Sequence, residues 1–126
     1  MTHATASTRS KGASGEEAAA AYLARQGWNV LERNFRSPFG EIDIIARRGD
    51  EVAFVEVKTW SSLPRGELEH SINRKKRARI SRAARLFLCD RKDLAELHAR
   101  FDVLFLSGPE GDIAHIKNAF GGEGID

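Results

Sequence analysis

With 126 residues, 41% apolar and 30% charged side chains and a formal net charge of +2, the chain has the make-up of one small globular domain. No apolar run reaches the roughly 20 residues of a membrane-spanning helix, and the first residues lack the apolar core of a secretory signal. A single cysteine, Cys89, excludes an intramolecular disulfide and suits a reducing cytoplasm.

Residues 1–12 are rich in Ser, Thr and Ala and read as a disordered tail. One domain follows over 13–120, and 121–126 form a second tail. A helix is predicted from Ser14 to Gln26, stopped by Gly27. Ser14 fits its N-cap, so Glu16 and Glu17 fall in the first turn, where the helix dipole favours acids. Trp28 to Asn34 reads as a strand. Gly40 to Arg47 and Glu51 to Thr59 read as the arms of a hairpin, turned at Arg47-Arg48-Gly49-Asp50. Ser61 to Gly66 is predicted to be a mobile loop that could close over a substrate.

A second helix is expected from Glu69 or Asn73 to Cys89, which should pack against the core. Arg100 to Ser107 reads as a strong strand, 107–111 as a turn and Asp112 to Lys117 as a last strand. The order αβββαββ predicts an α/β domain with a mixed sheet flanked by helices. His3, His70, His98 and His115 stand singly, without zinc-ligand spacing.

The hairpin carries charge where apolar residues dominate. Glu41 and Asp43 should share one face of the first arm, opposite Ile42 and Ile44; Glu56 and Lys58 share one face of the second. With Gly49-Asp50 as a two-residue turn, Arg48 faces Glu51 and Asp43 faces Glu56. Directly opposed Cβ atoms lie about 4.5–5.5 Å apart, close enough for two carboxylates to share a divalent ion. Magnesium suits such a pair, because it takes hard oxygen ligands plus water and phosphate. Lys58, beside two carboxylates, is expected to stay protonated, which argues against a general-base role. A solvated sheet face gives the same pattern without any chemistry.

The second helix is strongly basic. Arg74, Lys75, Lys76, Arg77, Arg79, Arg82 and Arg85 lie between positions 72 and 85 with no acid, so the rest of the chain holds 13 basic against 18 acidic groups. Lys75, Arg79 and Arg82 form one stripe with Arg85 beside it, opposite Ile80, Ala83, Ala84 and Phe87. Without counter-charges at i±4 this stripe is predicted to lie against phosphate backbone, contacting shape and not base sequence.

Several spaced motifs together resemble a known family. They are Gly15-Glu16-Glu17-Ala18, Gln26-Gly27-Trp28, Arg33-Asn34, Gly40-Glu41-Ile42-Asp43, Phe54-Val55-Glu56-Val57-Lys58 and Arg100-Phe101-Asp102-Val103. The succession resembles the YraN-type family of bacterial proteins. More distantly it is similar to Holliday junction resolvases of the PD-(D/E)xK nuclease superfamily. The resemblance implies a restriction-endonuclease-like fold and a Mg²⁺- or Mn²⁺-dependent endonuclease acting on DNA, as a homodimer on branched intermediates. Residue by residue, it places Asp43 and Glu56 as metal-binding acids, Lys58 as the catalytic lysine and Glu16 as the helix glutamate that completes the site. Ile42 stands where the superfamily's proline would be, and Trp60 where relatives often carry Arg or Lys.

Other readings stay open. A non-catalytic nucleic-acid-binding accessory protein would keep the basic helix, and a structural domain would pair its carboxylates internally. Asp102 reads as a metal ligand or as a structural partner of Arg33 or Arg100. Trp60 could stack on a base or cap the sheet.

Overall fold

The computed structural model describes residues 6–59, 74–107 and 112–120. Helix α1 (Ala6–Arg25) leads into strands β1 (Asn29–Ser37), β2 (Gly40–Arg48) and β3 (Glu51–Thr59). Helix α2 (Arg74–Cys89), a 3-10 turn at Lys92–Leu94, and strands β4 (His98–Ser107) and β5 (Asp112–Phe120) follow. This is the predicted order, with the 3-10 turn added. The strands form one sheet in the order β1-β2-β3-β4-β5. β3 and β4 run parallel, because the segment holding α2 returns the chain between them, and all other neighbours are antiparallel.

Period-two alternation divides the core between the sheet's faces. Val52 and Phe54 of β3 pack with Ile80, Ala83, Ala84 and Phe87 of α2. Ala53 and Val55 pack with Ala19 and Leu23 of α1. The helices therefore cover opposite faces, and α2 buries the side that its sequence predicts. β3 and β4 are buried on both faces, which is why they read as nearly unbroken apolar runs. Phe54, Phe101 and Phe105 are fully buried, each contributing about 1.5–3 kcal/mol relative to exposure.

Three expectations change. The segment read as a tail is helical from Ala6 onward; it holds no proline, and its Ala, Arg and Lys residues favour continuation. Glu16 and Glu17 thus lie inside the helix and not in its first turn, so N-capping does not explain them. Cys89 is exposed, because it lies about 200° around the helix from buried Phe87. The end of α1 is as expected. Gly27 follows it at φ 93°, Trp28 N–H bonds the Leu23 carbonyl at 2.9 Å, and Gly27 N–H bonds that of Ala24 at 3.0 Å. Trp60, the 61–66 loop, any helix before Arg74, the 108–111 turn and the 121–126 tail lie outside the described residues.

Candidate functional site

The hairpin forms in the predicted register. Gly49, at φ 62°, opens the two-residue turn, Arg48 faces Glu51, and Ile44 faces Val55. The ladder stops there, one position short of Asp43 and Glu56. Beyond it, among the described residues, β2 pairs with β1 alone and β3 with β4 alone. The sheet forks, and Asp43 and Glu56 stand on the two sides of the fork.

Asp43 is aimed by an irregularity on the neighbouring strand. Asn34 has φ 54°, and the β1–β2 ladder skips the Asn34–Asp43 pair. Before that point in β2, Ile42 packs with the α2 cluster, as does its partner Phe35. After it, Ile44 packs with α1, and its partner Arg33 reaches Glu17 at 3.4 Å. Ile42 and Ile44, expected on one face, therefore lie on opposite faces. Asp43 turns into the fork, where its Oδ2 accepts the Val57 N–H at 2.8 Å. Local irregularities that re-aim one side chain recur beside functional sites. Asn34 is the sequence signal, since asparagine tolerates the left-handed conformation.

The fork opens into a cleft of about 290 Å³, lined by Glu41, Asp43 and Glu56 from the strands and by Lys76, Arg79 and Ile80 from α2. Gly40 opens β2 at φ 153°, a backbone angle that residues with a side chain rarely adopt, while a Cβ there would make only ordinary contact with the Arg79 Cβ at 3.5 Å.

Charge is concentrated here. Buried Glu56 holds two lysines on one oxygen, Oε2: Lys76 Nζ at 2.8 Å and Lys58 Nζ at 3.2 Å. The Asp43 carboxyl is pushed up from 3.8 to about 7, first by burial and then by the Glu56 charge, against the pull of the Val57 amide. Lys58 departs from expectation. Its amine lies below its ordinary value, because burial and the hydrogen bond with Lys76 outweigh Glu56. Burial pulls Lys76 down too, but its bonds to Glu56 and Lys58 win, and its amine lies above its ordinary value. Lys76 is therefore held more firmly as a cation than Lys58.

Of the residues singled out from sequence, Asp43 and Glu56 line the cleft and Lys58 reaches it through Glu56. Glu16 does not line it. It is half-buried on α1, accepts Asn34 Nδ2 at 3.1 Å and acts on Asp43 through its charge. Arg79 lines the cleft, while Lys75, Arg82 and Arg85 are exposed along α2. Sequence reading missed Glu41, which pairs with Arg36 at 3.4 Å, and Lys76. Lys76 stands one turn from both Arg79 and Ile80, at spacings of three and four residues, where the exposed and buried sides of α2 meet.

Among the described residues no group of three or more His, Cys, Asp or Glu side chains gathers as a metal site. Two carboxylates at one fork, with Asp43 disfavoured as an anion by the Glu56 charge, still fit Mg²⁺ or Mn²⁺, which draw remaining ligands from water and phosphate.

Asp102 belongs elsewhere. It is buried beside Arg100, whose Nε and Nη2 grip its two oxygens at 3.2 and 2.9 Å. His115 Nε2 lies 2.7 Å from Oδ2, and the Asn118 amide donates to Oδ1 at 3.0 Å. Arg100 also binds Glu51 and stacks over the Trp28 ring, while the Tyr22 hydroxyl lies 2.9 Å from His115 Nδ1. This favours the structural reading of Asp102 and names Arg100 as its partner.

A mixed five-stranded sheet, a helix on each face and a charged fork between two strands are consistent with a nuclease-like fold. The chain belongs to the family described as Uncharacterised protein family UPF0102, which matches residues 15–106 and is the YraN-type family of the sequence motifs. It is 47% identical over 100 residues to a UPF0102 protein of Moorella thermoacetica, spanning 79% of this chain and 82% of that one. Similar proteins occur in Syntrophus aciditrophicus, 48% identical over 108 residues and 84% of each chain, and in Geobacter metallireducens, 44% identical over 114 residues, 89% of this chain and 93% of the other. No helix among the described residues is long and apolar enough to cross a membrane.

Proposed function

We propose that this chain is a metal-dependent endonuclease of the PD-(D/E)xK type that hydrolyses phosphodiester bonds in DNA, with branched or recombination intermediates as substrates. The fork is the observation that supports it most: two carboxylates and two lysines meet at one cleft, beside a helix with an exposed cationic side. Mg²⁺ or Mn²⁺ held by Asp43 and Glu56 would supply Lewis acidity toward a phosphate oxygen.

Lys58 would orient the attacking water or neutralise charge developing on phosphorus. Arg79, on the cleft wall, pairs with a non-bridging oxygen. Lys75, Arg82 and Arg85 continue the cationic surface for flanking phosphates, so backbone shape decides binding. Glu16 tunes Asp43 through its charge. Cutting two strands of a branched substrate calls for a homodimer, as in the resolvases that the chain resembles. A free, exposed Cys89 fits a cytoplasmic protein.

The test is a cleavage assay with Mg²⁺ or Mn²⁺ on labelled duplex, single-stranded, four-way-junction and RNA substrates, with Glu56→Gln alongside. Cutting that needs the metal and falls to background in the variant supports the nuclease and names its substrate. One observation favours a second reading, a binding protein that does not cut: Lys58 and Lys76 already balance Glu56 without a metal. Salt-dependent binding with no cutting on any substrate selects that reading.

A further inference from the structure

We propose that Lys76 is a built-in counter-ion of the cleft, which holds Glu56 until a divalent cation binds and then passes its ammonium group to a substrate phosphate. The inference rests on the metal-dependent reading above.

Two lysines share Glu56 Oε2, but the fold ties them differently. Lys58 is on Glu56's own strand, two residues along, so its stem keeps it beside the carboxylate. Lys76 crosses the cleft from α2 and makes the shorter contact, 2.8 Å against 3.2 Å. Its side chain is 36% exposed, which leaves its flexible four-carbon stem a way out. In the metal-free cleft a cation here offsets the desolvated Glu56 charge. A dication shared by Asp43 and Glu56 would stand within a few ångströms of that ammonium and repel it. The nearest use for the released charge is beside Arg79, one turn along α2 and on the same cleft wall. Together the two side chains would offer a paired donor set to one phosphate.

A pair that serves only to fix Glu56 in position predicts the reverse, because its loss would leave the carboxylate misplaced as a ligand. Isothermal titration of the metal-free protein with Mn²⁺ separates the two. Lys76→Gln should bind Mn²⁺ at least about fivefold more tightly than wild type, a modest figure that allows for screening of a part-exposed amine. Lys92→Gln removes one exposed charge from the 3-10 turn and should match wild type. Lys76→Arg, which keeps the charge, should stay near wild type, and Lys76→Met gives a second neutral variant should Lys76→Gln fold poorly. With Ca²⁺ in place of Mn²⁺, duplex DNA should bind Lys76→Gln at least about fivefold more weakly than wild type.

Mn²⁺ affinity in the neutral variants that equals or falls below wild type overturns the counter-ion role. If wild type binds Mn²⁺ through Asp43, shown by its loss in Asp43→Asn, that failure leaves the metal site standing. If none of the proteins binds Mn²⁺, both readings fall.

Discussion

At Asp43, burial and the Glu56 charge disfavour the ionised carboxylate, while the Val57 N–H favours it; the first two win, raising the group from 3.8 to about 7. The folded protein therefore holds this proton more tightly than the unfolded chain does. Between about pH 4 and pH 7 the native state binds more protons, so stability falls as pH rises, and above 7 the whole penalty is present. A shift of about three units sets a ceiling of about 4 kcal/mol, which solvent around a half-buried carboxylate reduces to about 2 kcal/mol. Asp43→Asn cannot ionise, yet its amide oxygen can still accept the Val57 N–H. Urea unfolding with EDTA present should show the variant as stable as wild type below pH 4 and more stable by about 2 kcal/mol at pH 8. Equal stability at both pH values would mean that no unfavourable charge resides at Asp43.

At the scale of elements, α2 has two sides with separate tasks. Ile80, Ala83, Ala84 and Phe87 are buried, whereas Arg79, Arg82 and Arg85 stay exposed. Reversing charge at Arg79 and Arg82 should therefore leave the fold intact and weaken DNA binding first. Each duplex phosphate contact adds about −0.9 to the slope of log affinity against log salt, so the double reversal should flatten that slope by about 2. An unchanged slope would remove α2 from the DNA interface. This helix and the hairpin were legible in the sequence because both obey local rules: a 3.6-residue period in one, a period of two and a glycine-first turn in the other. The aim of Asp43 was not, since it depends on Asn34 meeting it from a different strand. Nor was Lys76, one of seven cations between positions 74 and 85 until α2 is laid over the fork.

Across the described residues, charged side chains are buried at two places with opposite character. In the fork the ionisable groups are strained and open to a cleft. At Asp102 they are closed and satisfied, with Arg100, His115 and the Asn118 amide all on one carboxylate. Burial there would raise the Asp102 carboxyl, but the Arg100 bond and then those from Asn118 and His115 outweigh it and hold it below 3.8. An ionised Asp102 has no proton to give, so His115 donates through Nε2, while the Tyr22 hydroxyl lies 2.9 Å from Nδ1. The cluster joins β3 through Glu51, β4, β5 and α1 through Tyr22, so it should govern stability without touching metal chemistry. Asp102→Asn should cost about 3 kcal/mol near neutral pH, in the range for breaking a buried ion pair. Because the folded value is depressed, that contribution is complete above 3.8 and lost as pH falls through the folded value, so the two proteins should converge in acid. While still folded, the variant should bind Mn²⁺ as wild type does. Unchanged stability with lost Mn²⁺ binding would instead make Asp102 a metal ligand and move the functional centre to the other face of the sheet.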